Sequence, residues 1–180
     1  MTDEATRSLR AIAHPLRLQI LSLLTGTELS AADVARELDL THANASYHLR
    51  VLLDAGELEI ASEERIRGGV AKRYRHPWEK DFGPQQRTVS SEERAMYARA
   101  MAEELVRRSR LARTGRVRSR YSDAELWVTP EDYATVTEAI DRATRTLHGA
   151  ARPPRSKGTM KVAFSAALFE MDPGPGPDAP

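Results

Sequence analysis

The stretch from Ser30 to Gly56 can hold little other than two short helices meeting at a tight turn, and this constrains the fold more than any other part of the chain. Ser30 followed by Asp33 is a capping-box-like start, because a hydroxyl and an acidic side chain at that spacing satisfy backbone N–H groups that the first helical turn leaves open. Val34, Ala35 and Leu38 then fall on one side, and the helix is expected to end by Asp39. Thr41 caps the next helix, with Asn44 at its third position. Ala45, Leu49, Leu52 and Leu53 form its inward side until Gly56 stops it. Only a turn centred on Leu40 separates the two.

The flanks supply the rest of a fold. Leu9, Ile12, Ala13, Leu16, Ile20, Leu21, Leu23 and Leu24 recur at helical spacing, and Pro15 stands where a new helix would begin, so two helices are expected to meet near His14-Pro15 and the second to end at Gly26. After Gly56 the pattern changes to alternation, with Leu58 and Ile60, then Val70, Lys72 and Tyr74, around Gly68-Gly69, which predicts a β-hairpin. Helices in this order with a hairpin behind them predict a winged helix-turn-helix over residues 1–80, bounded by the Pro- and Gly-bearing loop from His76-Pro77 to Gly83-Pro84.

Residues 81–120 read as a linker and one long helix. Ser90 with Glu93 opens it, it runs to about Ala112, and Met96, Tyr97, Ala100, Met101, Leu105 and Val106 lie along one side. No neighbouring helix covers that stripe, so Tyr97, Met101 and Leu105 are expected at the seam of a homodimer; the competing arrangement folds the last segment back over it. Residues 121–171 read as strand, helix, strand: Asp123 to Val128, a helix opened by Thr129-Pro130-Glu131-Asp132 and carrying Tyr133, Val136, Ile140, Ala143 and Leu147, then Thr159 to Phe169. Trp127, Tyr133 and Phe164 either line a pocket or join a core. Residues 172–180, almost all Pro, Gly, Asp and Ala, predict a disordered tail. The expected fold class is mainly α with a β-hairpin wing, a C-terminal dimerisation helix and a small α+β extension.

Composition excludes more than it selects. With no cysteine, a disulfide framework, a zinc-thiolate site, a thiol switch and a cysteine nucleophile are all ruled out. The segment from Met1 to Arg10 lacks the apolar run of a secretory signal, and no stretch reaches the roughly 18 apolar residues that span a bilayer. A cytoplasmic protein without membrane partners is expected. No acid-base pair, nucleophile or phosphate loop stands out, and the glycine pair sits in the hairpin, so no enzymatic activity is expected.

The net charge of +1 hides an uneven distribution. Thr41, His42, Asn44, Ser46, Tyr47, His48 and Arg50 occupy the cap and outer positions of the helix after Thr41, with no acid before Asp54, so nothing there repels phosphate. Such side chains pair with base edges or phosphate oxygens of double-stranded DNA in the major groove. Arg65, Arg67, Lys72, Arg73 and Arg75 surround the hairpin glycines and suit a DNA backbone or minor groove, against Glu63 and Glu64. Taken singly, the helix face could be merely solvated and the hairpin charges an edge guard. The order of elements favours the DNA reading over a winged-helix protein-interaction module. A further arginine run, Arg107, Arg108, Arg110, Arg113, Arg116, Arg118 and Arg120, either grips flanking phosphate or complements a helix end.

Two motifs carry a family resemblance: Ala13-His14-Pro15-Leu16-Arg17-Leu18-Gln19-Ile20-Leu21 and Ser46-Tyr47-His48-Leu49-Arg50-Val51-Leu52-Leu53-Asp54-Ala55-Gly56. Through them the stretch from Leu9 to Arg75 resembles the ArsR-type winged helix-turn-helix regulators. The resemblance implies a homodimer that binds a promoter, usually represses it, and leaves the DNA when an effector binds; the effector's identity is not implied. Glu57 departs from the apolar residue common in the family after the glycine. The family's metal ligands are also missing. Ser30 and Ala32 stand where thiolates would in Glu28-Leu29-Ser30-Ala31-Ala32-Asp33, and Ser90 to Arg113 contains no histidine. His14, His42, His48, His76 and His148 form no i, i+4 pair. Neither a metal nor a cofactor is expected.

Overall fold

The computed structural model describes residues 8–66, 69–81, 90–115 and 119–172. Arg67 and Gly68 of the expected hairpin tip, the loop around Gly83-Pro84, Arg116, Arg118 and the tail from 173 onward lie outside the described residues.

Helix α1, of which residues 8–12 are described, is followed by α2 (Pro15–Leu24). His14 makes the break: its Nδ1 accepts the Leu16 N–H at 3.2 Å, and Pro15, which has no N–H to satisfy, takes the first helical position. Helix α3 (Ala31–Leu38) starts with the expected capping box, the Ser30 hydroxyl accepting the Asp33 N–H while the Asp33 carboxylate accepts the Ser30 N–H. It ends at Asp39 in the left-handed region, φ 54° and ψ 51°, a conformation that Asp tolerates better than most non-glycine residues. The Asp39 and Leu40 N–H groups both close back on the Ala35 carbonyl, so the turn before the next helix is short. Thr41 caps α4 (His42–Asp54) by accepting the Asn44 N–H at 3.2 Å. Beyond it Gly56 adopts φ 79°, which its lack of a Cβ permits.

Strands β2 (Glu59–Ile66) and β3 (Gly69–Arg75) form the hairpin, with Ile60 opposite Tyr74 and a bulge before Ser62. The alternation pattern does not show a third strand, β1 (Leu29–Ser30), which pairs antiparallel with β3 and gives the sheet order β1-β3-β2. Two residues are too few to display a period. The core joins Ile20, Leu21 and Leu24 of α2 to Val34 and Ala35 of α3, Ala45, Leu49 and Leu52 of α4, and Leu58. Ile20, Leu24, Leu49 and Leu52 are fully buried, each stabilising the fold by about 1.5–3 kcal/mol. Glu57 accepts a hydrogen bond from the Ser8 hydroxyl, tying the end of α4 to α1 and giving this polar residue a structural role.

Helix α5 (Ser91–Arg110), opened by the Ser90–Glu93 capping box, packs against α2 and buries Ala100 and Glu104. Its stripe is therefore partly covered by its own chain. Arg10 of α1 also pairs with Glu93 at 3.2 Å. Helix α6 (Pro130–Gly149) begins at Thr129, which accepts the Asp132 N–H at 3.1 Å, and buries none of its residues. The segments on either side of it where strands are expected, 123–128 and 159–169, join no ladder among the described residues, whose one sheet is β1-β3-β2.

Where α6 ends, the chain returns to the first domain. Arg155 makes a bidentate pair with Glu37 of α3, both distances 2.9 Å, and Trp78 stacks edge-on against His148 at 5.4 Å. A Cβ placed on Gly26 would lie 2.7 Å from the Ala151 Cβ, so this approach requires glycine.

Candidate nucleic-acid interface

Helix α4 has two sharply different sides. Ala45, His48, Leu49 and Leu52 are buried, an i, i+3, i+4, i+7 set, while His42, Asn44, Tyr47 and Arg50 are exposed and Ser46 is half-exposed. Thr41 is exposed as well, its hydroxyl engaged in the cap. The first turn holds no acid, leaving the positive end of the helix uncompensated.

His48 is a correction to the expected outward set. It is 7% exposed and stands with its ring 5.1 Å from that of His14, its Nδ1 without a hydrogen-bond partner among the described residues. Burial, together with the charges of His14 and Arg17, lowers its pKa from the ordinary 6.5. Burial and Arg17 lower that of His14 also. Both rings thus favour the neutral form. The signal was present in the sequence, since position 48 completes the inward spacing of Ala45, Leu49 and Leu52.

The hairpin cations divide by what they touch. Arg75 lies at its base, where Glu59 accepts its Nε at 3.1 Å and also takes Lys80 at 3.0 Å; these bonds hold the Glu59 carboxyl below its ordinary pKa. Arg73 donates to the Glu28 carbonyl at 3.1 Å and lies 3.5 Å from Glu64, which pins β3 to the segment before α3. These two act first as structural ties. Arg65 and Lys72 are exposed on the strands, with no ion pair among the described residues, although Glu63 stands opposite Lys72. Arg67 lies outside the described residues.

Residues 12–59 match the model of a helix-turn-helix domain. The fold is a winged helix-turn-helix. The transcriptional repressor SdpR of Bacillus subtilis (strain 168) is 36% identical over 56 residues, which is 31% of this chain and 59% of that protein. The match thus spans under two thirds of the relative's length. Among the described residues no helix is long and apolar enough to cross a membrane.

On this winged helix the expected seam residues of α5 are unevenly placed: Tyr97 and Met101 are half-buried and Leu105 is 46% exposed, beside exposed Met96 and Val106. Trp127 and Phe164 join no core among the described residues, being 87% and 40% exposed, and Tyr133 is half-buried. An open cleft of about 370 Å³ lies instead between Thr25, Glu28, Arg75, Trp78 and His148, where α6 meets the winged helix.

The spacing of α2 does not single out Arg17. Its guanidinium interacts electrostatically with Tyr47 and His48 of α4, Nη2 donating to the Arg10 carbonyl at 3.2 Å, and its Nε is buried without a partner among the described residues. The residue falls within the first of the two motifs, but helical spacing on α2 alone cannot reveal that it flanks a different helix.

Proposed function

We propose that this chain is a DNA-binding transcriptional regulator of ArsR type, acting as a repressor and binding a palindromic operator as a homodimer. Helix α4 enters the major groove, the wing lies on the backbone or minor groove, and Tyr97, Met101 and Leu105 contribute to the dimer seam. The observation that carries the reading is the division of α4. One side fills the core, and the other presents His42, Asn44, Ser46, Tyr47 and Arg50 with no carboxylate before Asp54. A 13-residue helix is about 20 Å long, sufficient to cross the groove, and its side chains match base-edge donors and acceptors. The similarity to a protein named as a transcriptional repressor supports the same reading.

Within it, Ser46, Asn44 and Arg50 read bases, while Arg65 and Lys72 of the wing, and Arg17, neutralise phosphates. Arg73 and Arg75 chiefly hold the wing in place. The test is selection of genomic fragments by the purified protein, followed by salt titration on the best site. A preferred, roughly palindromic sequence with half-sites about 34–36 Å apart is expected. Equal binding to random DNA at near-physiological salt refutes operator recognition by the unliganded protein.

A further inference from the structure

The segments flanking α6 carry an unburied surface that the winged helix does not use. Of the nineteen large apolar residues exposed among the described residues, twelve lie between Tyr121 and Met171. Leu126, Trp127 and Val128 are 76%, 87% and 55% exposed, and Met160, Val162 and Phe169 are 80%, 61% and 52%. Neither segment is helical or part of a ladder among the described residues. Among the described residues no backbone-to-backbone hydrogen bond reaches 121–128 or 160–171. The second has the period of a strand, with Met160, Val162, Phe164, Ala166 and Leu168 on one face against Lys161, Ala163, Ser165 and Ala167 on the other, and the first ends in the apolar run Leu126-Trp127-Val128.

One chain cannot finish this unit. Two segments joined through a single helix would run parallel, and a parallel pair needs both faces covered. Independent stability requires three or more strands or packing against a helix, and α6 buries none of its residues. A second copy raises the count to four strands and brings a second α6, whose Val136 and Leu147 are likewise exposed. The area agrees. At about 100 Å² for each large side chain, the ten exposed in the two segments present on the order of 1,000 Å² per copy, and a pair reaches the 2,000 Å² at which obligate homodimer interfaces begin. Charge favours a parallel cross-pairing, since Asp123 and Glu125 mark the first segment and Lys161 the start of the second, whereas an antiparallel one would turn the acids towards Glu170. The Arg108 guanidinium, donating to the Phe164 carbonyl at 3.4 Å, lays the second segment against α5 beside exposed Leu105 and Val106.

We infer that residues 121–128 and 159–171 are strands of an intermolecular sheet completed by a second copy of this chain, continuous with the α5 seam. The inference rests on the homodimer reading above and adds the element that makes it obligate. The full chain has two tryptophans, so Trp78→Phe leaves Trp127 as its reporter. Sedimentation and tryptophan emission are followed together over a dilution series. A dimer whose Trp127 is blue-shifted and shielded from acrylamide, and becomes exposed at the same midpoint as dissociation, supports the inference. Phe164→Lys should weaken dimerisation by about thirty-fold or more with the far-ultraviolet spectrum of the winged helix retained. A dimer in which Trp127 stays quenchable and Phe164→Lys has no effect overturns the inference and leaves the α5 seam standing. A monomer with exposed Trp127 overturns both readings, and a monomer with shielded Trp127 shows the segments packed on their own chain or on lipid-like additives, which also overturns it.

Discussion

Glu104 is the group on which the junction of α2 and α5 depends most, and Glu104→Ala tests that dependence. The side chain is 2% exposed. It accepts Gln19 Nε2 from α2 at 2.7 Å, Arg107 Nε and Nη2 at 3.0 and 2.9 Å, and Arg108 Nε at 3.2 Å. Removing one partner of a buried ion pair costs about 3–5 kcal/mol when the other is left buried. Here the Arg107 and Arg108 side chains are 42% and 20% exposed and regain water, so the loss should be smaller, about 2–3 kcal/mol. Burial pushes the Glu104 carboxyl upward, but the bonds from Arg107 and Gln19 and the charges of Arg107 and Arg108 outweigh it, leaving the pKa below the ordinary 4.5. A depressed carboxylate stabilises the fold above its unfolded pKa and loses that contribution as pH falls through the folded value. Urea unfolding of wild type and variant at equal protein concentration, followed by circular dichroism, should therefore show the midpoint lowered by about 1–2 M at pH 7. The gap should narrow below about pH 4.5, and Glu104→Gln should fall between. A midpoint unchanged at pH 7, or a gap that stays constant into acid, refutes this account of the junction.

Three further outcomes are expected. The lowered pKa values of His14 and His48 mean that the unfolded chain binds protons first as pH falls below 6.5, so stability should decline across that region, and His48→Phe should flatten the decline in a pH series of thermal melts. Ser30→Ala removes the hydroxyl of the α3 capping box and should cost about 1 kcal/mol, measured by chemical denaturation. On the selected operator, Arg50→Ala should erode the preference over random DNA, whereas Lys72→Ala should weaken both and lower the salt slope by about 1; identical effects from the two would contradict their separate roles.

What could be read without coordinates follows from the range of the interactions involved. Caps at His14-Pro15, Ser30, Thr41, Ser90 and Thr129 act within four residues, and all five helix starts match the expected ones. The hairpin was equally visible, because alternation and a glycine pair are local. β1 was not, since its pairing with β3 joins Leu29 to Tyr74 across the domain. The same distance hid the proximity of Arg17 to Tyr47 and the ties that occupy Arg73 and Arg75. The flanks of α6 show what a local pattern leaves open: Met160 to Leu168 has the alternation of a strand, but alternation states only a preference for pairing, and among the described residues no neighbouring strand answers it.

The two-sidedness of α4 has a consequence for how such a protein can change. Leu49 and Leu52 hold the fold, and His42, Asn44, Tyr47 and Arg50 take no part in the core. On the proposed function, stability and target preference are thus written on separate letters of one helix. On that reading a lineage, or a designer, could rewrite the outer letters one at a time and retarget the molecule without passing through an unfolded intermediate. The boundary runs through position 48, where an imidazole next to the reading side is held by the interior, so a change there would alter the footing of both its neighbours at once.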